Sequence, residues 1–259
     1  MSHRLLRERL PYLAGIATLL IIWQVAAWIL PSFLLPGIPR VVLRLVQVIR
    51  HGEFLTGLRM SLTRLLIGYP LACLLGAVLG LFAGLSQGFA IYLRSVISIL
   101  QSVPPITWVP FLVILLGFGD LPIIGIITIA SFFPMALSVM NATEGVSRTH
   151  LELARVLGAT RGQLLAKVYA PETLPAVITG AQVAFGNAWR SLIAGEMVGG
   201  ARAGLGWSIS YSGEIADMAG VLVGMVVIGG IATFIDHVVI EQVKRRLLRW
   251  RPAPGGDGA

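Results

Sequence analysis

The chain has 259 residues, of which 56% are hydrophobic and only 12% charged, with a mean hydropathy of +0.84. That charge content is about half the ~25% of an ordinary globular domain. So much apolar surface excludes a soluble fold, and it excludes disorder equally. The formal net charge of +8 reads as a topology signal and not as a nucleic-acid footprint, because the positive residues flank apolar runs.

A helix needs about 20 mostly apolar residues to cross a bilayer. Residues 12–30 meet that requirement without a charge, after Arg4, Arg7 and Arg9 and before Pro31. No small-residue cleavage site follows before Pro36, so the segment reads as a retained helix and not as a signal peptide. Residues 41–49 read as an amphipathic helix on the membrane surface, with Arg40 and Arg44 one turn apart.

Residues 65–85 form a second predicted span. Gly76, Gly80 and Gly84 recur every fourth position in it and place a smooth face toward another helix, in the same subunit or in a second one. Residues 95–118 form a third, interrupted by Pro104, Pro105 and Pro110, which strip backbone donors and kink a helix. Such a break survives in lipid only where protein or a water-lined cavity satisfies the freed carbonyls. Residues 121–142, with Pro134 as a predicted kink, 176–199 and 218–240 complete six spans.

With six spans both termini share a side. That side holds thirteen Lys and Arg residues against six on the other, which predicts cytoplasmic termini. Arg40, Arg44, Arg50, Arg59 and Arg64 make the first external loop unexpectedly basic. His3, His51, His150, His237 and the single Cys73 show no ligand-like spacing, so no metal site is expected.

Residues 144–175 are the longest polar insertion in the second half, and long loops usually carry a function. Thr149-His150-Leu151-Glu152 has the form of a capping box that opens a helix, and Gly158 can supply the left-handed residue that ends it. Thr160-Arg161-Gly162-Gln163 is a second capping box, with Pro171 expected to close the second helix. The product is a helix–turn–helix hairpin on the cytoplasmic face, suited to docking a soluble partner.

Glu152-Leu153-Ala154, Gly158 and Val168-Tyr169-Ala170-Pro171 resemble the EAA motif (E-A-A-x3-G-x9-I-x-L-P) of ABC-importer permeases, with conservative departures at Leu153, Val168 and Ala170. Residues 102–110, Ala188-Trp189 with Glu196, and the tail from Arg246 to Pro252 are similar to permeases of the nitrate, sulfonate and taurine type. The resemblance implies an all-α membrane protein with the type I ABC importer permease fold, in a single permease domain over residues 1–259 with a flexible tail at 253–259. It implies a bacterial inner-membrane location, a second permease subunit in a homodimer or in a heterodimer with a paralogue, two ATP-binding subunits and an extracytoplasmic solute-binding protein. Glu152, Ala154, Gly158, Ala159, Thr160 and Pro171 are then the residues that couple to the ATPase.

No cofactor is expected on this chain. A phosphate-binding P-loop needs G-x4-G-K-[ST], and neither of the two lysines, Lys167 and Lys244, stands in that setting. Hydrolysis of ATP is therefore expected on a partner.

Charge inside a span is costly and marks function by default. Arg190 and Glu196 lie in the fifth span, about 120° apart around the helix. Each lines the translocation pathway or is satisfied by a neighbouring helix, or, for Glu196, lies at the outer mouth in water. Arg190 in the pathway suits an anionic solute, because its planar fork holds an oxoanion bidentately. Trp108, Pro104 and Pro105 are candidates for the gate, while Asp236 and His237 read as interfacial. A secondary transporter is the alternative; such folds usually show internal repeats, and none is visible here.

Overall fold

A computed structural model describes residues 2–246 apart from 51, 241, 243 and 245, and of these the side chains from residue 14 onward except 53, 239 and 240. The tail at 253–259 and most of the 246–252 motif lie outside the described residues. Among the described residues every regular element is helical: α1 Ser2–Ile29, α2 Ile38–Arg50, α3 Glu53–Gly84, α4 Gln87–Gln101, α5 Trp108–Leu116, α6 Asp120–Glu144, α7 Arg148–Val156, α8 Arg161–Leu164, α9 Ala170–Val198, α10 Leu205–Glu214 and α11 Met218–Phe234. A 3-10 turn covers Pro105–Thr107, and π turns cover Leu165–Tyr169 and Ile235–Ile240.

The centre of the bundle is α6, packed between α3 and α9. Its Ile123, Ile126, Ile127, Ala136 and Met140 are wholly buried. The glycine face of α3 meets α6 within the same chain. A methyl at Gly76 would stand 2.9 Å from Met135 Cβ, one at Gly80 2.5 Å from the Ala136 carbonyl, and one at Gly84 would overlap Thr143. These pairings advance together, so α3 and α6 run parallel. Far from this seam the apolar side chains stay exposed, as a lipid-facing surface requires: Leu66 70%, Ile99 71%, Ile114 87%.

Among the described residues three helices are individually long and apolar enough to span a membrane: Phe54–Gly84, Asp120–Glu144 and Met218–Val238. α4 with Pro105–Leu116 forms a fourth candidate, an apolar pair bent by 77°. The limits of several expected spans move. The second span is a helix from Glu53, so Arg59 and Arg64 belong to it and not to a loop. Residues 87–94, ahead of the expected third span, are the first half of α4, and the third span is two helices meeting at a sharp corner at Pro104. Pro134 sits inside a continuous α6.

Candidate functional site: the coupling hairpin, the outer ion-pair cluster and the α9 groove

The hairpin α7–α8 follows α6 as expected, but its first helix starts differently. α7 begins at Arg148 with Ser147 as its cap, and no side chain caps it in the Thr149–Glu152 manner. The acceptor comes instead from 25 residues downstream: Glu172 Oε2 takes the Ser147 amide at 3.2 Å, and Glu172 Oε1 meets His150 Nδ1 at 2.5 Å. A carboxylate near the positive end of a short helix is stabilising, and here it ties α7 to the first turn of α9.

The other end of α7 closes through backbone alone. Gly158, at φ +79°, donates to Arg155 O (2.9 Å), and the Ala159 amide donates to Ala154 O (2.9 Å). This is a Schellman arrangement, which requires a left-handed residue at its apex. Ala154, Gly158 and Ala159 of the motif are thereby one structural unit. The second capping box forms: Thr160 Oγ1 accepts from the Gln163 amide (3.4 Å), and Gln163 Oε1 accepts from the Thr160 amide (2.8 Å).

Pro171 does not end the second helix. It cannot donate to the carbonyl one turn back, and the chain takes the π turn Leu165–Tyr169 and runs on into α9. The turn below α7 leaves Leu153 (58%), Val156 (84%) and Leu157 (78%) in the open, a compact apolar patch beside the exposed Glu152 and Arg155.

At the opposite end of the bundle lies a cluster that the sequence did not reveal. Glu196, near the end of α9, has a fully buried side chain, as has Arg64 of α3. Arg64 Nη1 donates to Glu196 Oε1 at 2.6 Å and to the Ala203 carbonyl at 2.9 Å, while its Nε reaches Asp120 at the start of α6 at 2.8 Å. The Ser61 hydroxyl donates to Glu196 (2.7 Å) and accepts the Leu205 amide (2.9 Å), and the Gly206 amide completes the carboxylate at 2.9 Å. A Cβ at Gly204 (φ +153°) would stand 2.5 Å from the Glu196 carboxyl carbon. Arg64 and Glu196 together thus fasten α3, α6, α9 and the entry to α10 at one point. The Glu196 carboxylate has a partner from a neighbouring helix, Arg64. Arg64 escaped notice because an apolar window stops at a charge, which put the start of the span one residue after it.

Arg190 is placed differently. It is exposed, and its Nη2 donates to Asn187 Oδ1 at 2.6 Å, with no carboxylate in ion-pair range among the described residues. It borders a groove of about 560 Å³ between α9 and the end of α11, whose walls include Gln182, Phe185, Trp189, Asp236 and His237. Gln182 Nε2 donates to Asp236 Oδ1 at 3.1 Å, and His237 stands 3.9 Å from the same carboxylate. Trp108 is half-buried on the α5–α6 contact, edge-on to Phe111, and its indole N–H has no acceptor among the described residues. Pro104 and Pro105 are exposed at the corner.

Residues 76–249 match the family model described as binding-protein-dependent transport system inner membrane component. The chain is 30% identical to a putative ABC transporter permease protein of Methanocaldococcus jannaschii over 95% of this chain and 92% of that one. It is 31% identical to the taurine transport system permease protein of Escherichia coli (91% and 87%) and 29% identical to the putative aliphatic sulfonates transport permease protein of Bacillus subtilis (95% and 90%). Its fold is similar to a chain of the MetNI methionine ABC transporter in an inward-facing conformation, with a TM-score of 0.61 at 21% identity over 78% of this chain and 98% of that one. The chain therefore belongs to the binding-protein-dependent transport system inner membrane component family: it is the permease subunit of an ABC importer, whose work requires an ATP-binding subunit and a solute-binding protein.

Proposed function

We propose that two copies of this chain form the translocation pathway for a small anionic solute, with both termini and the α7–α8 hairpin in the cytoplasm and one ATP-binding subunit docked on each hairpin. The chain binds no nucleotide or other cofactor in this reading. Energy enters through the Leu153–Val156–Leu157 patch, and closure of the two ATPases draws the hairpins together. Because α8 runs through the π turn into α9, movement of the hairpin reaches Arg190 along one continuous helical path.

The single observation that supports an anionic solute is Arg190: a guanidinium at membrane depth, held among the described residues by Asn187, beside a groove large enough for a small molecule. Insertion of such a charge costs roughly 2.5–3.5 kcal/mol, which water or an anion in the pathway offsets. The solutes in the names of relatives share an oxoanion group, for they include permeases of aliphatic sulfonate, taurine (a zwitterion with a sulfonate), nitrate and bicarbonate transport. Trp108, Pro104 and Pro105 are kept as gate residues at the corner between α4 and α5. Glu196 acts at the outer mouth by holding it together, next to the pathway.

The test is uptake into vesicles by the full importer carrying Arg190→Gln or Arg190→Lys. The expected result is intact assembly and basal ATP hydrolysis, uptake greatly reduced with Gln and partly restored with Lys, which lacks the bidentate fork. Uptake at the unmodified rate by the Gln variant overturns the reading.

A further inference from the structure

Five arginines precede Leu65 on the side opposite the coupling hairpin, where positive charge is normally scarce. The structure accounts for two of them. Arg64 is buried against Glu196 and Asp120, and Arg44 Nη2 meets Asp217 at 2.7 Å. Arg40, Arg50 and Arg59 are exposed and have no carboxylate in ion-pair range among the described residues.

The first two belong to α2. That helix has 13 residues, about 20 Å at 1.5 Å per residue, against ~30 Å of hydrocarbon. It joins the end of α1 to the start of α3 on one side of the bundle, so it cannot cross and must lie along the surface. Its residues divide into sectors at about 100° per residue. Val41, Leu45 and Val48 face the protein and are buried or half-buried. Val42, Val46 and Ile49 form the next sector and are exposed at 51%, 43% and 51%. Arg40, Arg44 and Gln47 form the sector on the other side of the protein-facing one. The arrangement is that of a helix lying at a bilayer edge: protein beside it, acyl chains beneath it, guanidinium groups above. Arg50 projects from the outer flank.

The neighbouring chain sits at the same level. Trp28 (76%) and Phe33 (74%) are exposed at the α1–α2 corner, as aromatic side chains are at a membrane interface. The corner itself is fixed by the Trp23 indole donating to the Pro36 carbonyl (3.1 Å) and by Gln24 Oε1 accepting the Ile38 amide (3.1 Å).

We propose that α2 is a binding surface for anionic phospholipid headgroups, whose phosphates are taken by Arg40 and Arg50. Membrane lipid is favoured over a protein occupant because the exposed apolar sector of α2 is continuous with the lipid-facing surface, and a docked soluble protein leaves that sector uncovered. Through Arg44–Asp217 the bound lipid also bears on the start of α11.

The test reconstitutes the importer complex in phosphatidylcholine nanodiscs containing a trace of spin-labelled phosphatidylglycerol or spin-labelled phosphatidylcholine, and measures their relative association by electron paramagnetic resonance. The complex is expected to prefer phosphatidylglycerol. With about fivefold per arginine at an anionic surface, Arg40→Gln with Arg50→Gln should lower the preference of those sites by up to about 25-fold, and Arg40→Lys with Arg50→Lys should restore it. Affinity for the solute-binding protein, measured on the same nanodiscs, should be unchanged. No lipid preference in the original protein, or an undiminished one in the double Gln variant, overturns the proposal. Loss of solute-binding-protein affinity with lipid preference intact overturns it in favour of an acidic protein face.

Discussion

The Ala159 amide donates to the Ala154 carbonyl at 2.9 Å, across Gly158 in the left-handed region. This one hydrogen bond gives the spacing of the EAA-like motif a physical reason. Ala154 is the third residue from the end of α7, Ala159 the second beyond its cap, and the residue at the apex must tolerate φ near +80°. The motif is less a set of contact residues than the geometry of a turn that presents Leu153, Val156 and Leu157.

Gly158→Val isolates the backbone requirement. A side chain at this position meets nothing within 4 Å, so steric crowding by neighbours plays no part. A β-branched residue in the left-handed region costs about 1–2 kcal/mol, enough to shift the turn. The variant should insert in the membrane normally, retain less ATP-binding subunit on purification and lose uptake. Gly158→Asn, which tolerates this conformation, should keep most of both. Equal loss in the two variants would point to side-chain bulk instead.

Glu172 makes a different prediction, because it serves α7 from outside α7. Glu172→Ala leaves the Ser147 amide without its acceptor and His150 without its partner, and loss of a helix cap typically costs about 1 kcal/mol. α7 should still form but be held less firmly to α9. The signature is mechanical: more ATP hydrolysed per solute imported, with ATPase retention only slightly reduced. Glu172→Gln keeps an acceptor for Ser147 and should recover much of the ratio. An unchanged ratio in the Ala variant would show that this tie does not transmit movement.

The Arg64–Glu196 pair should be the most sensitive point in the outer half. Removing one member of a buried pair strands the other, at about 3–5 kcal/mol. Glu196→Ala should therefore lower the unfolding temperature in detergent sharply, and Arg64→Met should do the same. The double variant Arg64→Met, Glu196→Leu should be less destabilised than the sum of the two single changes, since neither charge is left alone. Additive losses would mean that Arg64 is satisfied by Asp120 and Ala203 without Glu196.

How much of this was legible in the sequence depended on range. Elements governed by near neighbours were readable: the Thr160–Gln163 box, the left-handed Gly158, and the glycine face of α3, although which helix it met was not. Features governed by distant partners were hidden. The start of α7 is set by Glu172, 25 residues away, which overrode a well-formed Thr149–Glu152 pattern. Glu196 was visible as an intramembrane charge, but its partner Arg64 lies 132 residues earlier and had been counted as loop. The corner at Pro104 was signalled by its prolines, while the 77° bend depends on how α5 packs on α6.

The last prediction uses pH at the junction of α2 and α11. Burial alone raises the Asp217 carboxyl, but the Gly220 amide, the Arg44 guanidinium and the Ala219 amide outweigh it and hold the group below its ordinary value of 3.8. Asp217 caps α11 through the Gly220 amide at 3.0 Å and receives Arg44 at 2.7 Å, its one ion-pair partner among the described residues. A carboxylate depressed in the folded state contributes stability that is complete above its unfolded value and is lost as pH falls through the folded one. The contribution is therefore constant through neutral pH and disappears below 3.8. Both side chains are partly exposed, so the ion pair is worth about 0.2–1 kcal/mol and the cap about 1 kcal/mol. Asp217→Ala should lower the unfolding temperature at pH 7 by a few degrees, while Arg44→Gln should lower it by less, because the cap survives. The gap between Asp217→Ala and the unmodified chain should narrow as the pH is taken from 3.8 down through the lower folded value, below which the carboxyl is neutral in both states. A gap that stays constant well below 3.8 would show that the side chain at 217 acts through packing alone.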